Sequence, residues 1–244
     1  MNLTIDIGNT RTKIGVFEDS RLVEKIVWQE WQPADLFSLA TNHKAKNVIL
    51  STVALDLSGR IALLFKQQFN YLELTAETPL PIENRYQTPQ TLGKDRLAAV
   101  VGAYALYPNS NVLVVDAGTC ITYDLLTEEG AYEGGNIAPG LNMRLEAMHR
   151  LTKRLPLAPM KLPEENLGKT TQTALQNGGL LGAILEFEGF CRLFETDFGK
   201  LKIILTGGDA DFFAKKSKRE IFVNPDLVLV GLNKILNYNV ECLE

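Results

Sequence analysis

The sequence predicts an α/β protein made of two similar halves, and two observations carry that prediction. The first is a repeat. Leu3, Thr4 and Ile5 lead into Asp6, Ile7, Gly8, Asn9 and Thr10, and an apolar run resumes from Lys13 to Phe17. Val112 to Val115 lead in the same way into Asp116, Ala117, Gly118 and Thr119, and β-branched and aromatic residues continue through Tyr123. A strand, D-x-G-[NT], turn and strand therefore occur twice, about half a chain apart, which reads as two related halves facing each other rather than as a solenoid. The second is the order of elements, in which a strand meander is followed by alternating helices and strands, as in α/β proteins.

Each element has a local reason. Leu22 to Trp28 extends the first hairpin into a meander. Pro33 to Ala40 reads as a short helix, because proline is tolerated in a first turn. Asn47 to Val53 has the apolar run of a buried strand. Asp56 to Phe69 has helical spacing, with Leu57, Ile61, Leu64 and Phe65 on one face. Tyr71 to Leu74 is a short strand, and Thr78 to Pro89, with its prolines, is a loop. Leu97 to Tyr107 is a helix that stops at Pro108.

Past the second hairpin, Gly134 to Gly140 reads as a tight glycine loop leading into a helix over Leu141 to Leu151. Pro156 to Pro163 is irregular. Thr173 to Phe194 reads as one long apolar helix, and Leu201 to Leu205 as a buried strand ending at Gly207 and Gly208. Asp226 to Val230 fits a last strand, or the start of a closing helix over Leu227 to Leu236. The expected boundary divides residues 1–110 from 111–244, with the active cleft between the halves.

Bulk properties exclude several classes. A chain of 244 residues suits one large or two small domains. Hydrophobic residues make up 45%, and the net charge is −4 without a long basic block, which argues against sequence-independent nucleic-acid binding. No apolar run approaches the ~20 residues of a membrane span, and MNLTIDIGNT lacks the pattern of a signal peptide. Cys120, Cys191 and Cys242 are widely spaced, which favours a reduced, cytoplasmic protein over a zinc or disulfide framework. His43 and His149 are the only histidines, and neither lies near a plausible nucleophile.

The repeat has readable chemistry. Each hairpin offers a carboxylate at a strand end, then a glycine where the backbone comes close to a partner, then hydroxyls and free N–H groups suited to phosphate. One copy alone reads more readily as an ordinary hairpin turn. Two copies favour a triphosphate site with Asp6 and Asp116 on its metal side. Gly93, Lys94, Asp95 and Arg96 directly precede a helix after a long irregular loop. This run fits helix capping or a binding motif. No Walker A pattern is present. Carboxylates at strand ends and hydroxyl-rich turns suit phosphoryl transfer, which depends on positioning and charge neutralisation, with a carboxylate able to accept the proton of a hydroxyl.

These residues together resemble the actin, hexokinase and acetate-kinase superfold, with its two ribonuclease H-like halves and a cleft between them. Within it the sequence is similar to type III pantothenate kinases. The resemblance rests on Asp6 to Thr10 with Lys13, on Gly93 to Arg96, on Asp116 to Thr122 (D-x-G-T-x-x-T), on Gly134 to Gly140 (G-G-x-I-x-P-G), on Gly168 to Thr171, and on Gly207 and Gly208. It spans nearly the whole chain in the right order. Lys94 departs from the pattern, since small residues are common there.

The resemblance implies transfer of the γ-phosphoryl of ATP to the primary hydroxyl of pantothenate, the first step toward coenzyme A, by a homodimer needing magnesium and a monovalent cation, potassium or ammonium. It implies Asp95 as the base and Arg96 as the partner of the substrate carboxylate, where a planar bidentate donor is apt. Tyr86, Gly93, Lys94 and Thr171 would line the pantothenate site, Thr171 from the other subunit. Asp6, Ile7, Gly8, Asn9, Thr10, Arg11, Thr12 and Lys13, with Thr119, Gly207 and Gly208, would hold ATP. Asp116 would bind the monovalent ion and Asp6 would orient magnesium through water. Two other readings stand beside this one. Another small-molecule kinase or phosphatase of the superfold would be separated by a substrate panel. A catalytically silent transcription accessory factor would keep partner binding without ATP binding.

Overall fold

The computed structural model describes residues 1–8, 10–52 and 54–241. They form two compact units: Met1–Asn109 with Gly130–Glu133 and the chain from Asp226 onward, and Ser110–Glu129 with Gly134–Pro225. The chain thus crosses between units more than once, where the sequence suggested a single boundary after residue 110.

In the first unit β1 (Asn2–Ile7), β2 (Thr12–Glu18) and β3 (Arg21–Trp28) form the antiparallel meander. Helix α1 (Pro33–Asn42), strand β4 (Asn47–Thr52), helix α2 (Leu55–Phe65) and strand β5 (Asn70–Glu73) follow. The sheet order is β3-β2-β1-β4-β5, with β4 parallel to both β1 and β5. Leu3, Ile5, Ile14, Val16, Val48 and Leu50 meet Leu36, Ala40, Ile61 and Phe65 of α1 and α2 in one core. Leu64, expected on that face, is 42% exposed. Residue Val53 lies outside the described residues.

Register is pinned at the strand starts. Asn2, Asn47 and Asn70 stand side by side across β1, β4 and β5, and each amide donates to the next, Asn70 to Asn47 and Asn47 to Asn2, at 2.9 Å. A one-residue slip would break this ladder and turn the apolar faces outward. The carboxyl ends of the same strands are thereby aligned, and it is there that Asp6 and Gly8 emerge.

Strand β6 (Glu83–Asn84) pairs in parallel with the opening of β9 (Ala131–Pro139), Glu83 opposite Ala131 and Asn84 opposite Tyr132. Thus the proline-containing segment expected as plain loop carries a two-residue strand. Helix α3 (Lys94–Leu106) is buried from Arg96 to Ala103. It packs on α8 (Leu227–Glu241), the closing helix left open by the sequence. The two backbones touch through glycines: a Cβ on Gly231 would lie 1.7 Å from the Ala98 carbonyl oxygen, and one on Gly102 would lie 2.3 Å from that of Leu227. This contact explains why the C-terminal helix belongs with the first unit.

In the second unit β7 (Val112–Ala117) and β8 (Cys120–Leu126) form the second hairpin. Strand β10 (Lys202–Thr206) pairs in parallel with β7 and with β11 (Ile221–Val223). From β9 the order runs β9-β8-β7-β10-β11, the same as β3-β2-β1-β4-β5 in the first unit. The repeat seen in the hairpins therefore extends to the sheets. Helices α4 (Leu141–Arg150), α5 (Thr171–Gln176), α6 (Gly182–Phe198) and α7 (Ala210–Lys216) complete the unit, with Leu113, Val115, Leu145, Leu180, Phe187 and Phe213 in its core.

Two expectations change here. Gly134 to Pro139 is strand rather than loop, because its glycines serve close approach. A Cβ on Gly135 would sit 1.9 Å from the Tyr123 carbonyl oxygen. The long helix over Thr173 to Phe194 is interrupted by a π turn, Asn177–Leu181. Within that turn Gly179 packs against Leu145, leaving 2.8 Å between the leucine side chain and a built Cβ.

Candidate active site

In the first unit the hairpin places Asp6 directly opposite Lys13 across the β1–β2 ladder. Side chains so paired share a face. The turn between them closes with Gly8 N–H donating to the Arg11 carbonyl at 3.1 Å. Gly8, Thr10 and Arg11 are exposed at the turn, while Thr12 is buried and accepts a hydrogen bond from Trp31 Nε1 at 2.8 Å. Asn9 lies outside the described residues. Trp31 has no motif around it, so the sequence could not nominate it.

The G-x-D-R motif forms the start of α3. Gly93 precedes the helix and Lys94 is its first residue. Asp95 Oδ1 accepts the Arg96 backbone N–H at 2.8 Å, and a Cβ on Gly93 would lie 2.5 Å from that same oxygen. The carboxylate is therefore folded back over Gly93, which explains why glycine stands there. Arg96 is 6% exposed, with its guanidinium carbon 5.6 Å from the centre of the Tyr86 ring. Tyr86 in turn stacks on Tyr132, rings parallel within 4° and 6.1 Å apart. Arg85 is held between Glu83 (2.8 Å) and Glu133 (2.6 Å), and Asn84 Oδ1 accepts the Tyr86 N–H at 3.0 Å. The structure thus joins Tyr86 to Arg96 and adds Tyr132, a fully buried residue whose role only the β6–β9 pairing reveals.

In the second unit Asp116 stands opposite Thr122 on β8 and beside Thr206 on β10. The Thr122 Oγ1 is buried without a hydrogen-bond partner among the described residues. Two segments distant in sequence converge on this turn. Gly207, at φ 90°, leaves room for the Asp116 carboxylate, since a Cβ there would lie 2.4 Å from Asp116 Oδ1. Asp209 N–H donates to the Ala117 carbonyl at 2.9 Å. Gly140 lies against the turn, its N–H donating to the Thr119 carbonyl at 3.2 Å, with no space for a side chain 2.4 Å from the Gly118 and Thr119 oxygens. Thr119 and Gly208 are exposed at the same turn. Burial raises the carboxyl of Asp209 above its ordinary range. Thr171 is exposed at the start of α5, next to the N-cap Thr170, which exchanges bonds with Thr173.

Among the described residues no three His, Cys, Asp or Glu side chains form a metal cluster. Magnesium bound with phosphates needs none, because it keeps its waters and takes one or two carboxylates. For a monovalent cation the donor set fits: Asp116 beside the orphaned hydroxyl of Thr122 offers hard oxygen ligands.

Solved structures share this architecture. A Campylobacter jejuni protein described as a Baf family transcriptional activator superimposes with a TM-score of 0.66 at 23% identity, over 98% of this chain and 99% of its own. A Listeria monocytogenes protein described as an N-acetylmannosamine kinase does so with a TM-score of 0.54 at 15% identity, over 98% and 99%. Such identities speak for the fold alone, an α/β fold with two sheets of matching strand order. Sequence carries the assignment further. The pattern of the type III pantothenate kinase family matches residues 2–193. A type III pantothenate kinase of Phocaeicola vulgatus is 43% identical over 240 residues, spanning 98% of this chain and 99% of that one. The chain belongs to the type III pantothenate kinase family, and it is a phosphotransferase.

Proposed function

We propose that this protein transfers the γ-phosphoryl group of ATP to the primary hydroxyl of pantothenate, with Asp95 as the general base. The observation that carries the role of Asp95 is its geometry. One carboxylate oxygen is committed to the Arg96 N–H over Gly93, which orients the exposed carboxylate for a substrate hydroxyl. The proton moves from that hydroxyl to Asp95 as the new O–P bond forms and the bond to ADP breaks. Arg96 binds the substrate carboxylate while Tyr86 holds its guanidinium in place. Gly93 and Lys94 line the same pocket through their backbone, and Thr171 of the partner subunit completes it.

Asp6 to Lys13 hold ATP phosphates, as does Thr119, and the Gly207–Gly208 turn lets adenosine approach the backbone. Asp6 would orient magnesium when the metal is bound. A potassium or ammonium ion at Asp116 and Thr122 would neutralise phosphate charge when bound. The protein acts as a homodimer in the cytoplasm. Exposed Leu151, Leu157, Met160, Leu167 and Leu185, all in the second unit, support an apolar interface. The free Cys120 and Cys191 agree with a reducing compartment.

Purified protein with ATP, magnesium, potassium and pantothenate should form ADP only when pantothenate is present. Asp95→Asn keeps the shape but cannot accept the proton. It should lower kcat by roughly 10²–10⁴ with the KM for ATP nearly unchanged. Near-normal turnover in that variant would return Asp95 to a helix-capping role.

A further inference from the structure

The side chain of Lys94 has a definite partner. As the first residue of α3, it puts a cation at the positive end of the helix dipole, where charge of that sign is disfavoured. Its Nζ lies 3.6 Å from Glu73 Oε1, both side chains about one quarter exposed, at 23% and 25%. That distance makes an ion pair rather than a hydrogen bond. Glu73 is itself fixed at both ends. Its backbone closes β5, opposite Leu50 of β4, and its Oε2 accepts the Ser58 hydroxyl of α2 at 2.5 Å.

We propose that Ser58, Glu73 and Lys94 form a strut that sets the position of Asp95, so that Glu73 and Lys94 are positioning residues for phosphoryl transfer. The inference rests on the reading of Asp95 as the base. The side chain of Asp95 is oriented locally by the Arg96 N–H, but nothing in that contact locates the helix start itself. The chain reaches it through a segment with little regular structure, the two residues of β6 and a 3-10 turn over Pro89–Thr91. A tether from the sheet edge to the residue before Asp95 adds a constraint at the helix start, next to the packing of α3 on α8 farther along. Misplacing a catalytic group by about 1 Å costs up to roughly 10²-fold in rate. The pair is partly exposed, and such pairs contribute little, so a smaller effect is expected, about two- to fivefold.

The test uses full-length protein with Lys94→Met, Glu73→Gln and the double variant. Each single change should lower kcat by about two- to fivefold while the KM for ATP stays constant. The double variant should fall no further than the worse single one, because both remove the same strut. Lys94→Arg, which keeps the charge, should recover more of kcat than Lys94→Met. Melting curves separate positioning from stability. A lower melting temperature with unchanged kcat per folded molecule would overturn the proposal. So would a double variant whose loss is the product of the two single losses. A raised KM for pantothenate at unchanged kcat would overturn the strut, because the Lys94 side chain would then act on substrate. Asp95→Asn distinguishes the two levels. If it stays active, the base assignment fails and the strut loses its purpose. If it is inactive while Lys94→Met and Glu73→Gln turn over normally, the strut alone is wrong.

Discussion

Thr12 belongs to the turn proposed to hold ATP phosphates, and its hydroxyl is held by the indole N–H of Trp31 at 2.8 Å. Trp31→Phe keeps the ring and removes the donor, at a cost of about 1–3 kcal/mol for a buried hydroxyl left short of a partner. The melting temperature should fall and the KM for ATP should rise, with kcat at saturating ATP little changed. Steady-state kinetics and a thermal scan check this. Glu188 supplies a pH-dependent case. Partial burial works to raise its carboxyl, but hydrogen bonds from Ser217 and Arg219 outweigh burial and lower it below its ordinary 4.5. A lowered folded value means that its stabilising contribution is present above pH 4.5 and is lost as pH falls through the folded value. Glu188→Gln should therefore be less stable than the parent at pH 7 and show a shallower loss of stability in acid, measured by denaturant titration across pH. Asp95 and Arg96 were legible from four consecutive letters. Trp31, Glu73 and Tyr132 were not, because each acts through a contact between elements distant in sequence.

Elements show the same division through their glycines. Gly134 and Gly135 look like a loop in sequence, yet they lie in a strand whose backbone crosses too close to Tyr123 for any side chain. Gly135→Ala and Gly231→Ala should each cost about 1–3 kcal/mol or more, since the neighbouring atoms are backbone that must shift. Gly59 is the contrasting case. It sits inside α2, exposed, with nothing within 4 Å of a built Cβ. Gly59→Ala should stabilise the protein by about 0.4–1 kcal/mol by restricting the unfolded chain. Chemical denaturation of the three variants side by side would show opposite signs. The π turn at Asn177–Leu181 was likewise hidden. Leu175, Leu180, Ile184 and Phe187 keep nearly helical spacing through it and all are buried, so apolar periodicity alone reads as one helix.

For the assembled protein, the proposed dimer and cation site make two further predictions. An Asp95→Asn chain and a disabling Thr171 variant, co-expressed with different tags and purified as a hybrid, should regain activity, since one site would hold both intact residues. A verified hybrid without activity, or a fully active monomer in solution, would mean that one chain builds the site. Replacing potassium by a bulky organic cation should depress turnover sharply, and Thr122→Val should reduce the potassium dependence by removing a buried oxygen donor beside Asp116. Equal rates in all salts would dismiss the cation site.

The two hairpins, their aspartates and the order of the motifs follow from the sequence alone, because each is a local pattern. A strand end, a turn and a helix start are specified within a few residues by backbone freedom, periodicity and capping. The common strand order of the two sheets, the return of α8 to the first unit, and the meeting of Gly140 and Gly207 at the Asp116 turn depend on packing between distant segments. Such contacts are decided by which surfaces can approach without collision, and that information resides in no short stretch of chain.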